Sequence, residues 1–173
     1  MSEDPLMAYI EKRSEHCQLA LTDRSYRPKY QKMMREKNKG KPKGKQSNEP
    51  IPINFELGTL GDAVLRLSLT LMFYENGDEL ISKKRARYES DKVLITKVAP
   101  YYNLRDVLRF DDEDPNKQHG YDYWEYTGDG DHPQKYLATA MEALLGAYYL
   151  DHGKDLDKIR PVVKKWIEII GEE

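Results

Sequence analysis

Residues 55–74 read FELGTLGDAVLRLSLTLMFY, with Leu57, Leu60, Val64, Leu67 and Leu71 at helical spacing. Ala63, Leu65, Leu69 and Phe73 make other faces apolar too, so the pattern predicts a largely buried helix that ends at Asn76-Gly77. A second block of the same kind, KYLATAMEALLGAYYL at 135–150, is apolar nearly all round and stops at His152-Gly153. Weaker periodic stretches surround these two. Residues 5–21 place Leu6, Ile10, Cys17 and Leu21 on one helical face. An amphipathic helix is expected over about 78–99, with Lys83, Lys84, Arg85 and Arg87 on its basic face and Pro100 as its stop. A short helix is expected near 103–109. A last one uses Val162, Val163, Trp166, Ile167 and Ile170, with Pro161 in its first turn. No strand-like alternation and no internal repeat compete with these readings, and the expected fold is all-α.

The length of 173 residues suits one domain over 1–173. Apolar residues make up 39% and charged residues 34%, yet no apolar run approaches the roughly 18 to 20 residues of a membrane span. The first residues, MSEDPLMAYIEKR, lack the order of a signal peptide. One cysteine, Cys17, excludes an internal disulfide and a cysteine-built zinc site. His16, His119, His132 and His152 have no ligand-like spacing. A soluble, cytoplasmic protein without membrane contact is expected.

The net charge of -2 hides segregation. Residues 27–46 hold nine Lys or Arg and one acid, whereas 111–131 hold eight acids and Lys117 alone. Both blocks read as solvated segments: a basic loop over 27–50 and an acidic, aromatic insertion over 110–133. Lys37, Lys39, Lys41, Lys43 and Lys45 alternate with small or polar residues. Such a stretch can follow phosphates as a basic arm, or simply be a solvated loop.

Chemistry enters through two carboxylates in the apolar helices. Asp62 lies in LGDAVLRL and Glu142 in ATAMEALLGA. A buried carboxylate is costly unless it is paired, hydrogen-bonded or bound to metal. Two packed helices can bring both to one hard cation such as Mg²⁺, with Mn²⁺ as a substitute, which keeps several waters for a substrate phosphate. Thr139 lies on the face of Glu142. The alternative is an Asp62–Arg66 ion pair one helical turn apart, with Glu142 bonded to a tyrosine at the edge of the core. No nucleophile–histidine–acid set and no phosphate-cradling glycine loop is present.

The stretch 54–65, NFELGTLGDAVL, resembles the signature helix of the ribonuclease III endonuclease-domain family. ALTDRSY at 20–26, ISKKRA at 81–86 and ATAMEALLGAYYLDHG at 138–153 resemble further family segments in the same order. The resemblance implies the family's helical fold and four acids around Mg²⁺, two from each of the two helices. Asp62 and Glu142 match two of them. Gly58 stands where most members have glutamate, and Thr139 where most have aspartate. Asp78 falls near an acid that the family uses for RNA. TAMEALLG resembles the compact Mini-ribonuclease III branch, which also has threonine before the late glutamate and no double-stranded-RNA-binding domain.

The implied function is a metal-dependent endoribonuclease that cuts double-stranded or stem-loop RNA to 5′-phosphate and 3′-hydroxyl ends and works as a homodimer. Asp62 and Glu142 would hold the metal, Thr139 would act as an orienting group, and Asp78 with the five lysines would contact RNA. Gly58 and Thr139 are the features that support the alternative, a catalytically degenerate RNA-binding or assembly module of the same fold. A third reading makes the acidic aromatic segment a protein-interaction surface.

Overall fold

The computed structural model describes residues 4–47, 53–117 and 120–171, and among them it is all-α. The helices are α1 (Pro5–Lys12), α2 (Glu15–Ala20), α3 (Arg27–Asn38), α4 (Phe55–Glu75), α5 (Ile81–Glu89), α6 (Asp91–Val93), α7 (Ala99–Tyr101), α8 (Leu104–Val107), α9 (Lys135–Asp151) and α10 (Leu156–Ile170). The extended backbone contributes one isolated parallel bridge, Thr22 to Arg109. Among the described residues, no helix is long and apolar enough to cross a membrane.

α9 forms the centre. Leu137, Ala138, Ala140, Met141, Ala143, Leu144, Leu145 and Ala147 are completely buried, because neighbours cover nearly every face of this apolar helix. α4 makes the most extensive contact with it. α10 closes the core with Ile159, Val162, Val163 and Trp166.

α4 and α9 approach closely enough for backbone to touch backbone. A Cβ placed on Gly61 would fall 1.7 Å from the carbonyl oxygen of Glu142. One on Gly146 would fall 2.5 Å from the carbonyl oxygen of Leu57. Only hydrogen fits at either position, so these glycines set the helix separation.

Several sequence expectations change in detail. The stretch 5–21 is two helices, broken where Arg13 turns left-handed at φ 53 and the Ser14 side chain accepts from the Cys17 backbone N–H to start α2. The expected helix over 78–99 breaks at Ser90, whose hydroxyl caps α6. Pro100 does not stop the second half. A π-helical turn at Leu94–Val98 widens the helix ahead of α7. There the Ala99 N–H donates to Leu94 five residues back, which eases the clash between a proline ring and the preceding turn. α10 begins at Leu156 behind the Asp155 cap, so Pro161 lies inside the helix and not in its first turn.

The basic loop expected over 27–50 needs the largest correction. Residues 27–38 form α3, which has no buried residue. Its Lys, Arg, Gln, Glu and Met are good helix formers, Pro28 fits the first turn, and Arg35 and Lys37 oppose the dipole at its end. The described loop is therefore 39–47, pinned by two hydrogen bonds between Asn38 and Ser47. Residues 48–50 and His119 lie outside the described residues. In the acidic segment over 110–133, the described residues 110–117 and 120–133 are irregular apart from a 3₁₀ turn at Pro115–Lys117.

The glycine contact predicts that Gly61→Ala or Gly146→Ala costs about 3 kcal/mol or more, because backbone must move. Gly44→Ala, with nothing within 4 Å of its added carbon, serves as a near-neutral control. Urea unfolding of the three variants measures the difference.

Candidate active site

The Gly61–Glu142 contact places a carboxylate-bearing residue on each side of the helix crossing. Asp62 follows Gly61 in α4, and Glu142 itself supplies the touching carbonyl of α9. Burial is the main cause that pushes the Glu142 carboxyl up to about 8, and the charges of Asp62 and then Asp91 add to it. Two acids of the predicted pair are thus brought within electrostatic reach of each other.

Their partners differ. Asp62 Oδ1 lies 3.0 Å from Arg66 Nε, so the ion pair weighed from the sequence does form. The Glu142 carboxyl makes no hydrogen bond or ion pair among the described residues, and the tyrosine bond weighed in that reading is not made. A half-buried carboxyl that faces other negative charge without a paired cation is a ready ligand for a divalent ion. Among the described residues, no group of three or more His, Cys, Asp or Glu forms a metal cage. The donor set fits a hard cation with two carboxylate ligands and the rest of its shell in water, the arrangement Mg²⁺ commonly adopts.

Gly58 and Thr139, the two positions without acids, pack on each other. A Cβ on Gly58 would stand 2.9 Å from Thr139 Cγ2. The threonine methyl therefore fills the space that a longer residue at 58 would enter. Thr139 also reaches a cleft of about 570 Å³ with Asn54, Phe55, Tyr126, His132 and Tyr136 around it. Neither Asp62 nor Glu142 lines this cleft. One wall comes from the acidic insertion, where His132 stacks on Tyr123 with ring centroids 4.3 Å apart. The base of that insertion is fastened by a buried pair, Lys117 Nζ to Asp23 Oδ2 at 3.0 Å. Burial opposes ionisation of Asp23, but bonds from Ser25 and the Lys117 charge together hold its carboxyl below the usual range.

The remaining predicted residues lie elsewhere. Asp78 follows the C-terminal end of α4 and pairs with Lys84 Nζ at 2.8 Å. Its N–H donates to the Phe73 carbonyl oxygen, which leaves it about three helical turns of α4 away from Asp62. Lys37, Lys39, Lys41, Lys43 and Lys45 are all exposed, at the end of α3 and in the loop after it. Asp91 was missed from the sequence, because an acid just after the Ser90 cap has a sufficient local explanation at a helix start. Only the packing of α6 on α9 brings it near Glu142.

Comparison with known proteins agrees with this frame. A family model described as the ribonuclease III domain matches residues 56–153, more than half of the chain. That range includes Gly58, Asp62, Asp78, Thr139 and Glu142, and leaves out the five lysines. Among solved structures, the nuclease domain of ribonuclease III from Campylobacter jejuni superposes with a TM-score of 0.62 at 21% identity. The match covers 97% of this chain and 95% of that one, and shows the shared fold. No curated protein matches the chain.

The raised Glu142 carboxyl predicts a pH-dependent stability of the metal-free protein. Between pH 4.5 and about 8 the folded state holds a proton that the unfolded chain has released, so stability falls as pH rises through that window. Glu142→Gln removes the dependence and should stabilise the metal-free protein at pH 8 by about 1–3 kcal/mol. Equal stability profiles of the two proteins from pH 5 to 8 would contradict the assigned environment.

Proposed function

The chain belongs to the ribonuclease III domain family, and on that premise we propose that it is a metal-dependent endoribonuclease acting on double-stranded or stem-loop RNA. The products are a 5′-phosphate and a 3′-hydroxyl. The observation that carries this reading is the carboxylate pair at the α4–α9 crossing, with Glu142 lacking a paired cation. Asp62 and Glu142 hold Mg²⁺, or Mn²⁺ in its place. When bound, the ion supplies the charge that makes water a competent nucleophile and offsets charge developing on the phosphate.

A bound cation would favour the ionised form of Glu142, because its charge would offset the burial and the neighbouring acids that raise this carboxyl. Thr139, which lines the cleft, acts as an orienting group. The five lysines follow the RNA backbone, and Asp78 accepts a hydrogen bond from RNA near Lys84. Recognition is by shape, phosphate and 2′-hydroxyl, since side chains cannot read the deep, narrow A-form major groove. α4 also presents Leu67 and Tyr74, seven residues apart on one side of the helix, to solvent, with 47% and 72% of their surface exposed. This is the face we assign to a two-fold homodimer in which each subunit cuts one strand. The enzyme works as a soluble, cytoplasmic protein.

One observation favours the second reading, a noncatalytic RNA-binding module: the Asp62 carboxylate is already neutralised by Arg66. Incubation with a long RNA duplex in Mg²⁺, in Mn²⁺ and in chelator separates the two. Cleavage that requires metal and drops at least about 100-fold in Asp62→Asn and Glu142→Gln, with the fold intact by circular dichroism, is the expected outcome. No cleavage by the unaltered protein in either metal would leave the noncatalytic module.

Replacing Lys37, Lys39, Lys41, Lys43 and Lys45 together by serine should weaken binding to all duplex sequences alike. The slope of log affinity against log salt should become shallower by roughly 0.9 per lost phosphate contact, on the duplex-DNA calibration. Titrations at several salt concentrations measure it, and an unchanged slope reduces this segment to a linker.

A further inference from the structure

We propose that Arg66 is an internal counter-ion that a divalent metal displaces from Asp62, and that Glu89 receives it. The inference rests on the reading of Asp62 as a metal ligand and adds two positioning residues to that site.

Arg66 stands between two carboxylates on different helices. Its Nε lies 3.0 Å from Asp62 Oδ1, one turn earlier in α4, and 3.8 Å from Glu89 Oε2 at the end of α5. The Arg66 side chain is 55% exposed, whereas that of Glu89 is only 14% exposed. Mobile cation and fixed acid are thus distinct. Glu89 is steadied by Arg85, whose Nε lies 3.1 Å from the same oxygen. Arg85 in turn donates to Thr70 Oγ1 at 3.0 Å, and the Thr70 hydroxyl donates to the Arg66 carbonyl oxygen at 2.7 Å.

The Glu89 oxygen facing Arg66 is buried and accepts no well-aligned hydrogen bond, although both guanidinium groups are near it. It retains acceptor capacity. A metal that draws the Asp62 oxygens away leaves Arg66 with a second carboxylate at hand. A movement of about 1 Å brings 3.8 Å to the usual length of a charge-assisted bond. The exchange keeps the guanidinium paired while Asp62 turns to the ion. It also makes metal affinity a competition, with Arg66 opposing binding and Glu89 assisting it.

The test is Mn²⁺ binding to the full chain without RNA, followed by electron paramagnetic resonance of free Mn²⁺. The proteins compared are the unaltered chain, Asp62→Asn, Arg66→Gln, Arg66→Met, Glu89→Gln and the Arg66→Gln/Glu89→Gln double variant. Both Arg66 variants should bind Mn²⁺ about 3- to 10-fold more tightly, the range expected for losing one partly exposed competing ion pair. Glu89→Gln should bind about 2- to 5-fold more weakly, because Arg66 then stays on Asp62.

In the double variant the Glu89 effect should vanish, since there is no guanidinium left to receive. Were Glu89 only a distant negative charge, Glu89→Gln would lower affinity by the same factor in both backgrounds, and that additivity would overturn the proposal. Unchanged affinity in both Arg66 variants overturns it as well. If Asp62→Asn binds Mn²⁺ like the unaltered chain, or the unaltered chain binds none, the assignment of Asp62 as a ligand fails, and this inference with it. Exposed Arg66 tolerates either substitution, so the result does not hinge on the more buried Glu89.

Discussion

The rest of the structure depends on the contact of Gly61 with the Glu142 carbonyl and of Gly146 with the Leu57 carbonyl. Helices that bear side chains at their crossing usually lie 8–10 Å apart axis to axis. A Cβ with 1.7 Å of room cannot be accommodated here, so α4 and α9 are closer than ordinary packing allows. Close approach has two consequences at once. It increases dispersion contact along the most extensive helix interface of the molecule, and it sets a carboxylate from each helix at the same level. Any side chain large enough to part the helices would also part Asp62 from Glu142. Stability and site geometry are therefore one constraint, and apolar packing holds the two acids together at the cost of a raised Glu142 carboxyl.

What the sequence reveals follows from how each element is stabilised. α4, α9 and α10 are held by burial, and their Leu, Ile, Val and Ala spacing makes them legible as helices. α3 buries nothing, so it leaves no apolar period to read and is set by propensity, a first-turn proline and charge at its end. The breaks at Arg13 and Ser90 have the same character, being backbone and capping events within stretches whose hydrophobic spacing runs on. The π turn before Pro100 resolves a steric problem that the sequence states but does not solve. Proline can end a helix or be absorbed by widening it, and the buried Leu94, Ile95 and Val98 favour keeping the rod intact.

The site divides along the same line. Asp62 and Glu142 stand out in sequence because each is an ionisable group among apolar neighbours. The packing role of Gly61 and Gly146 leaves no mark in the sequence, since a packing glycine is defined by the partner helix. Asp91 and Glu89 gave no signal, because each sits among polar residues where an acid needs no explanation. The charged blocks were legible as blocks but not as neighbours. Lys29 pairs with Asp112 at 2.5 Å, and the insertion is further joined to residues 22–25 by the Thr22–Arg109 bridge and the Lys117–Asp23 pair. Lys37, Lys39, Lys41, Lys43 and Lys45 are left outside these contacts.

The reduced acidic set becomes intelligible when Gly58 and Thr139 are taken together. Their contact means that neither position can be considered separately: a carboxylate side chain at 58 would have to displace the Thr139 methyl before it could reach an ion. Electrostatics act in the same direction. Buried, and with Asp62 and Asp91 near it, the Glu142 carboxyl already stands at about 8 without a cation. Each added acid would raise it further and make the metal-free protein harder to fold at neutral pH. Glycine and threonine lighten that burden, and Arg66 on Asp62 lightens it again. The metal-free site is thus nearly charge-balanced within its own fold, and a bound ion must compete with that balance instead of filling a strongly negative cage.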